Sequence, residues 1–252
     1  MNKRAVLATV IALAMIGVYV HAQFGDKPAQ LSTVKIKDDL FVIHNDFVPG
    51  NTTALVTNEG VLLVDDKFEI DFPNIVAEVK KLTNQPIKYV INTHHHADHA
   101  GGMRAYVAEG IPIITHESHR KYYEEQIFKN PHSLNPDRLA RMPRAPMLEF
   151  VKDKRVLSDS SQALEIYLMK DQPHSEGLLM VYLPKSKLLI QADAYVPRPG
   201  APPLSAPSPY TTNLVDNASR LKLDVERVVQ IHGGVVPYSE VLAAAGRRVS
   251  TN

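Results

Sequence analysis

Six consecutive residues carry most of the chemistry this chain offers: His94-His95-His96-Ala97-Asp98-His99. Four imidazoles this close repel one another when protonated, and a bound cation removes the conflict by taking their neutral nitrogen lone pairs. A helical histidine pair meets at i, i+4, but His94 and His96 stand two apart. That spacing suits an extended or looped backbone with both rings on one side and His95 facing away. The chain has no cysteine, so disulfides and thiolate ligands are excluded together, and any metal site uses nitrogen and oxygen donors. Zinc accepts such a set. The plain alternative, a surface histidine tract that binds metal adventitiously, fits poorly between a buried-strand pattern and Gly101-Gly102.

The histidines must be positioned by the elements around them. Ile87–Asn92 reads as a short buried strand that delivers the cluster at its end, where α/β proteins place ligands. Gly101 and Gly102 let the backbone turn tightly before a predicted helix, Gly102–Glu109. Upstream, Leu40–Ile43, Thr53–Thr57 and Val61–Asp65 read as strands, with Asn58-Glu59-Gly60 as a hairpin turn. Phe72, Ile75, Val76, Val79 and Leu82 recur at helical spacing. Ile111–Thr115 is a strand pattern and Ser118–Phe128 a helical one. In the second half, Ala163–Met169, Met180–Leu183, Leu188–Ala192 and Val225–Ile231 read as strands. Asn213–Lys222 and Glu240–Arg247 read as helices, the latter capped by Ser239. Two proline-rich stretches, Asn130–Pro146 and Pro197–Pro209, cannot be continuous helix or central strand and are candidate walls of a site. Each half thus carries strands followed by helix–strand elements. That order predicts an α+β fold, a four-layer αββα sandwich.

The 252-residue chain is long enough for one large core, and 44% apolar with 22% charged residues is ordinary for a globular protein. Residues 1–22 differ from the rest. Lys3 and Arg4 precede an apolar run, Ala5 to Val20, and Val20-His21-Ala22 offers a small-residue cleavage site. This is the pattern of a signal peptide, followed by a single domain over 23–252, and it predicts a periplasmic or secreted protein. The run is short for a membrane span, the alternative reading. Without Lys3 and Arg4 the chain has 26 basic and 27 acidic side chains, a formal charge of −1. No basic surface argues for nucleic acid, no stable membrane association is expected after cleavage, and a small-molecule substrate is the expected partner. The sequence leaves the oligomeric state open.

His94-x-His96-x-Asp98-His99 resembles the signature of the metallo-β-lactamase superfamily, and further motifs recur in order along the chain. Asp65 ends a strand like that family's first acid, although Asp66-Lys67 follow where the family usually has a small residue and glycine. His174 in Gln172-Pro173-His174-Ser175-Glu176-Gly177, Asp193 after Ala192, and His232 before Gly233-Gly234 resemble its later site residues. The resemblance implies the αββα fold and two metal ions, zinc foremost with iron or manganese as alternatives. His94, His96 and His174 would hold the first. Asp98, His99 and His232 would hold the second. Asp193 resembles the acid that bridges them, but exported lactamases without a cysteine ligand need not have this bridge, so its coordination stays open. Asp65 would orient ligands rather than bind metal. His44, His116, His119 and His132 read as surface or hydrogen-bonded residues, His116 alone being placed to line a pocket. Tyr195 is a structural ring first and a candidate oxyanion donor second.

The chemistry implied is hydrolysis by a metal-activated hydroxide, with Asp98 as the catalytic residue that orients the nucleophile and accepts its proton. A β-lactam-like or other cyclic amide or ester is the leading substrate class. A glyoxalase II-like thioesterase shares the Thr93-His94-His95-His96 run, and a phosphodiesterase of the same fold is a further alternative. A wholly different class is a periplasmic metal-binding protein without turnover.

Overall fold

The computed structural model describes residues 30–45, 50–130, 136–197, 200 and 206–247. Residues 1–22, expected to be a signal peptide, lie outside the described residues, as do His132 and parts of both proline-rich stretches. The first sheet contains β1 (Ser32–Lys35), β2 (Leu40–His44), β3 (Thr52–Thr57), β4 (Gly60–Val64), β5 (Ile87–Ile91), β6 (Ile113–His116) and β7 (Leu148–Val151), side by side in that order. The second contains β8 (Lys154–Ser158), β9 (Ala163–Leu168), β10 (Leu179–Leu183), β11 (Leu188–Gln191), β12 (Arg227–Gln230) and β13 (Val235–Pro237), again in sequence order. Pairing is antiparallel except where connections cross over: β4 to β7 run parallel, and so do β11 and β12.

Side-chain alternation explains why two sheets stack with helices outside. Leu40, Val42, Leu55, Leu62 and Val64 face the second sheet and share a core with Ile166, Val181, Ile190 and Val229. Their chain neighbours Ile43, Ala54, Val61 and Leu63 face the other way, onto a helical layer. That layer includes α1 (Phe72–Leu82), α2 (Ala97–Ala100) and α3 (Met103–Ala108). A segment beginning as a 3₁₀ turn continues through α4 (Arg120–Tyr122) into a π turn, Tyr123–Ile127, and α5 (Arg138–Arg141) closes the layer. On the far face, α6 (Pro209–Arg220) and α7 (Tyr238–Ala244) bring Leu214, Val215 and Val241 against the second sheet. This is the αββα sandwich the sequence predicts.

Several boundaries differ from the sequence reading. The four strands it misses, β1, β7, β8 and β13, are the four sheet edges. An edge strand buries little, so its apolar pattern is weak: Val34 in β1 and Val156 in β8 are exposed. The helix expected over Ser118–Phe128 is split among three helical types. α6 begins at Pro209, four residues before Asn213, because proline is well accommodated in a first turn. α7 begins before Ser239, with Pro237 rather than Ser239 in the capping position. Among the described residues no helix is long and apolar enough to cross a membrane.

Candidate metal centre

The parallel strands β4, β5, β11 and β12 end on one edge of the sandwich, and the candidate ligands follow those ends or the β9–β10 turn. Thr93 and His94 continue from β5. Asp98 and His99 lie in α2, Asp193 follows β11, and His232 follows β12. His174 comes from the turn between β9 and β10. That turn is held on both sides. Gln172 donates to the Tyr210 carbonyl (3.2 Å) and Asn213 Oδ1 (3.1 Å), while His119 Nε2 bonds the Glu176 carbonyl (2.7 Å).

The predicted ligands converge in two groups. His94 Nε2, His96 Nδ1 and His174 Nε2 are 2.9 to 3.2 Å apart. His232 Nε2 lies 3.1 Å from both His99 Nε2 and Asp98 Oδ2, and the last two are 3.4 Å apart. Asp193 stands between the groups. Its Oδ2 is 3.0 Å from His174 Nε2, and its Oδ1 is 3.1 Å from both His99 Nε2 and His232 Nε2. His95 belongs to neither group; its Nδ1 is 3.4 Å from Ser175 Oγ and its ring packs edge-on to Tyr122.

Asp65 organises both groups without joining either. Its Oδ1 accepts the Thr93 N–H at 2.7 Å, and its Oδ2 accepts the Thr93 hydroxyl and His99 Nδ1, both at 2.8 Å. The Thr93 oxygen, having given its proton to Asp65, accepts from His94 Nδ1 at 3.1 Å. One carboxylate therefore leaves the Nε2 lone pair of His94 facing the first group and that of His99 facing the second. Asp65 adopts a left-handed φ of 57°, and Lys67 does the same, so the turn beneath the site is strained. Gly101 and Gly102 have ordinary negative φ and serve this turn differently from the sequence reading. They admit close approach: a side chain at Gly102 would meet the Asp66 carbonyl at 2.8 Å.

The two groups differ electrostatically. Burial first, then the neighbouring His99, drives His94 far below the ordinary imidazole range, and burial also lowers His96. Around His99 and His232, burial opposes protonation but is outweighed. Asp65, Asp193 and Asp98 raise His99 well above normal, and Asp193 and Asp98 raise His232 to about 9. Burial would also raise Asp98 and Asp193, yet hydrogen bonds from the imidazoles hold both carboxyls far below their usual range. His94 and His96 thus offer neutral nitrogens, whereas the ionised carboxylates of Asp98 and Asp193 favour positive charge around His99 and His232.

These residues fit metal ions. Three ring nitrogens directed at one another cannot satisfy each other pairwise while two of them resist protonation, but they can share a Lewis acid. Tetrahedral donors about 2.0 to 2.1 Å from a metal stand roughly 3.3 Å apart, close to the separations seen here. In each group the donor atoms lie within 4.8 Å of one another.

Residues 45–232 match the metallo-beta-lactamase superfamily. This chain belongs to that superfamily. A metallo-beta-lactamase type 2 from Elizabethkingia meningoseptica is 25% identical over 198 residues, spanning 75% of this chain and 71% of that protein. The metallo-beta-lactamase from Pontibacter korlensis superimposes with a TM-score of 0.67 at 22% identity, covering 86% of this chain and 98% of its own. The FIM-1 metallo-beta-lactamase from Pseudomonas aeruginosa, solved in a mono-zinc form, gives 0.64 at 17% identity over 87% and 95% of the two chains. At those identities the two structures speak for the fold.

Tyr195 and His116, secondary candidates in the sequence, have other engagements, and Lys67 was less apparent from sequence. Tyr195 donates its hydroxyl to Glu240 Oε1 at 2.7 Å, an engagement that favours the structural role. His116 bonds the Lys152 carbonyl at 3.0 Å and Ser118 Oγ at 2.8 Å, which ties down a strand end. Lys67 is wholly buried and donates to the Gly50 carbonyl. Its only signal was that Asp66-Lys67 replaces the family's small residue and glycine.

Proposed function

We propose that this chain is an exported hydrolase that works with two zinc ions on a carbonyl substrate, a β-lactam-like or other cyclic amide or ester. The observation that carries the two-ion part of the reading is Asp193, whose two oxygens face different ligand groups, each within 3.1 Å of an imidazole nitrogen. His94, His96 and His174 would hold one ion, and Asp98, His99 and His232 the other. The nitrogen and oxygen donor set favours zinc, and the leader pattern at residues 1–22 supports export. When bound, the ions would lower the pKa of water from about 16 towards about 7 and polarise the oxygen under attack. Asp98 touches both imidazoles of its group through Oδ2 alone and is 27% exposed, so it can orient a water and take its proton. Asp65 and Thr93 fix the rings so that the donors are organised before substrate arrives.

A second reading, thioester hydrolysis, is favoured by the same Asp193. A carboxylate between the groups is a feature that exported lactamases without a cysteine ligand need not have. A panel of lactams, lactones, thioesters and phosphodiesters, assayed with zinc-loaded protein and with Asp98→Asn, separates these readings. Turnover of one ester or amide class that collapses in Asp98→Asn while zinc stays bound supports hydrolysis. Metal binding with no turnover of any class would make the chain a metal-binding protein.

A further inference from the structure

The second ligand group is assembled from both sheets. Asp98 and His99 come from α2, which follows β5 of the first sheet, whereas His232 follows β12 of the second. Cation affinity there depends on holding these parts in register. The residues that do so are Gly50 and Asn51, immediately before β3, and neither is a ligand candidate.

Asn51 brackets His232. Its backbone N–H donates to the Ile231 carbonyl at 2.7 Å, and its side-chain amide donates to the carbonyls of Gln230 (3.1 Å) and Gly233 (2.8 Å). The three acceptors lie on both sides of His232 in sequence, and Asn51 is buried. Gly50 fills the gap on the Asp98 side. Its φ is 78°, and a side chain there would meet the Asp98 carbonyl at 2.9 Å and approach the His232 ring at 3.9 Å. Beneath it, buried Lys67 donates to the Gly50 carbonyl. Lys67, Gly50 and Asn51 thus link the strained turn after β4, the Asp98 backbone and the His232 segment. The first group is tied across the sheets by other contacts: the Leu179 N–H donates to the Thr93 carbonyl at 2.9 Å, and His119 Nε2 bonds the Glu176 carbonyl, two residues beyond His174.

We propose that Asn51 is a positioning residue that sets the affinity of the second cation independently of the first, so that it governs whether the centre is mononuclear or dinuclear. The inference rests on the two-ion reading above. Asn51→Leu keeps side-chain volume and the backbone bond to Ile231 but removes both amide donations. Asn51→Asp also lacks the donors, is closer in shape, and serves as the second variant if Asn51→Leu fails to fold.

The test strips wild type and variant with a chelator and titrates each with Co2+, reading d–d absorption together with bound ions per chain by native mass spectrometry. Wild type should take two ions. In the variant the first should bind within about threefold of wild type and the second on the order of tenfold or more weakly, the scale of losses at residues that orient ligands. Equal weakening of both ions, or no change in either, would overturn the proposal by showing a general or negligible role. A wild type that takes only one ion would overturn the two-ion reading and this inference with it, an outcome visible before any variant is made.

Discussion

His99 Nδ1 donates to Asp65 Oδ2 at 2.8 Å, so a residue outside both ligand groups decides which nitrogen of His99 faces Asp98 and His232. Through Thr93 the same carboxylate does this for His94. Asp65→Asn would place an amide donor among the Thr93 N–H, the Thr93 hydroxyl and His99 Nδ1, turning at least one donor–acceptor contact into a clash. Metal affinity should fall by about 10- to 100-fold with the fold intact. Chelator competition with zinc, alongside far-ultraviolet circular dichroism, checks this. Unchanged affinity would show that the rings are oriented by other contacts.

His119 carries a pH signature. It is 5% exposed, its Nε2 bonds the Glu176 carbonyl, and its Nδ1 has no hydrogen-bond partner among the described residues. Burial pushes its pKa down to about 4 from 6.5. Between those values the unfolded chain binds a proton the native state refuses, so this contribution to stability is complete above 6.5 and lost as pH falls through 4. The loss approaches roughly 3 kcal/mol. His119→Gln keeps a donor for Glu176 but does not titrate. Urea unfolding in chelator should show wild type weakening more steeply than His119→Gln between neutral and mildly acidic pH. Parallel pH profiles would contradict the assignment.

Arg104 and Asp137 form a buried ion pair behind the site, with Arg104 also donating to the Ile127 carbonyl at 2.9 Å. Arg104→Met removes both guanidinium donations to buried Asp137, which keeps the Ala140 N–H, and should cost about 3 to 5 kcal/mol. Adding Asp137→Asn should return part of that by removing the carboxylate charge. Urea midpoints measure both, and a loss below about 1 kcal/mol would show that water reaches Asp137.

The fold was readable where strands are buried on both faces and helices carry one apolar stripe, as in β4, β10, β11 and α1. It was not readable at β1, β7, β8 and β13, because edge strands owe their state to pairing with a neighbour rather than to their own side chains. The ligand candidates were readable because several imidazoles and carboxylates recur at strand ends. Asn51, Thr93 and Gln172 were not, since a residue that orients a ligand acts through backbone carbonyls or a single hydroxyl. Such partners exist only after the sheets are stacked.

Tyr195→Phe distinguishes an engaged hydroxyl from a catalytic one. Because the hydroxyl donates to Glu240, and burial with that carboxylate raises its pKa to about 12, its removal should leave kcat/KM within about threefold on whichever substrate the panel identifies. A fall on the order of 100-fold, the scale of losing an oxyanion donor, would return Tyr195 to the catalytic site.

Anomalous diffraction at the zinc edge, from zinc-loaded crystals, bears most directly on the whole account. Two peaks per chain are expected. One should lie among His94, His96 and His174, the other among Asp98, His99 and His232, with one Asp193 oxygen directed at each. A single peak, or zinc bound away from these side chains, would contradict it.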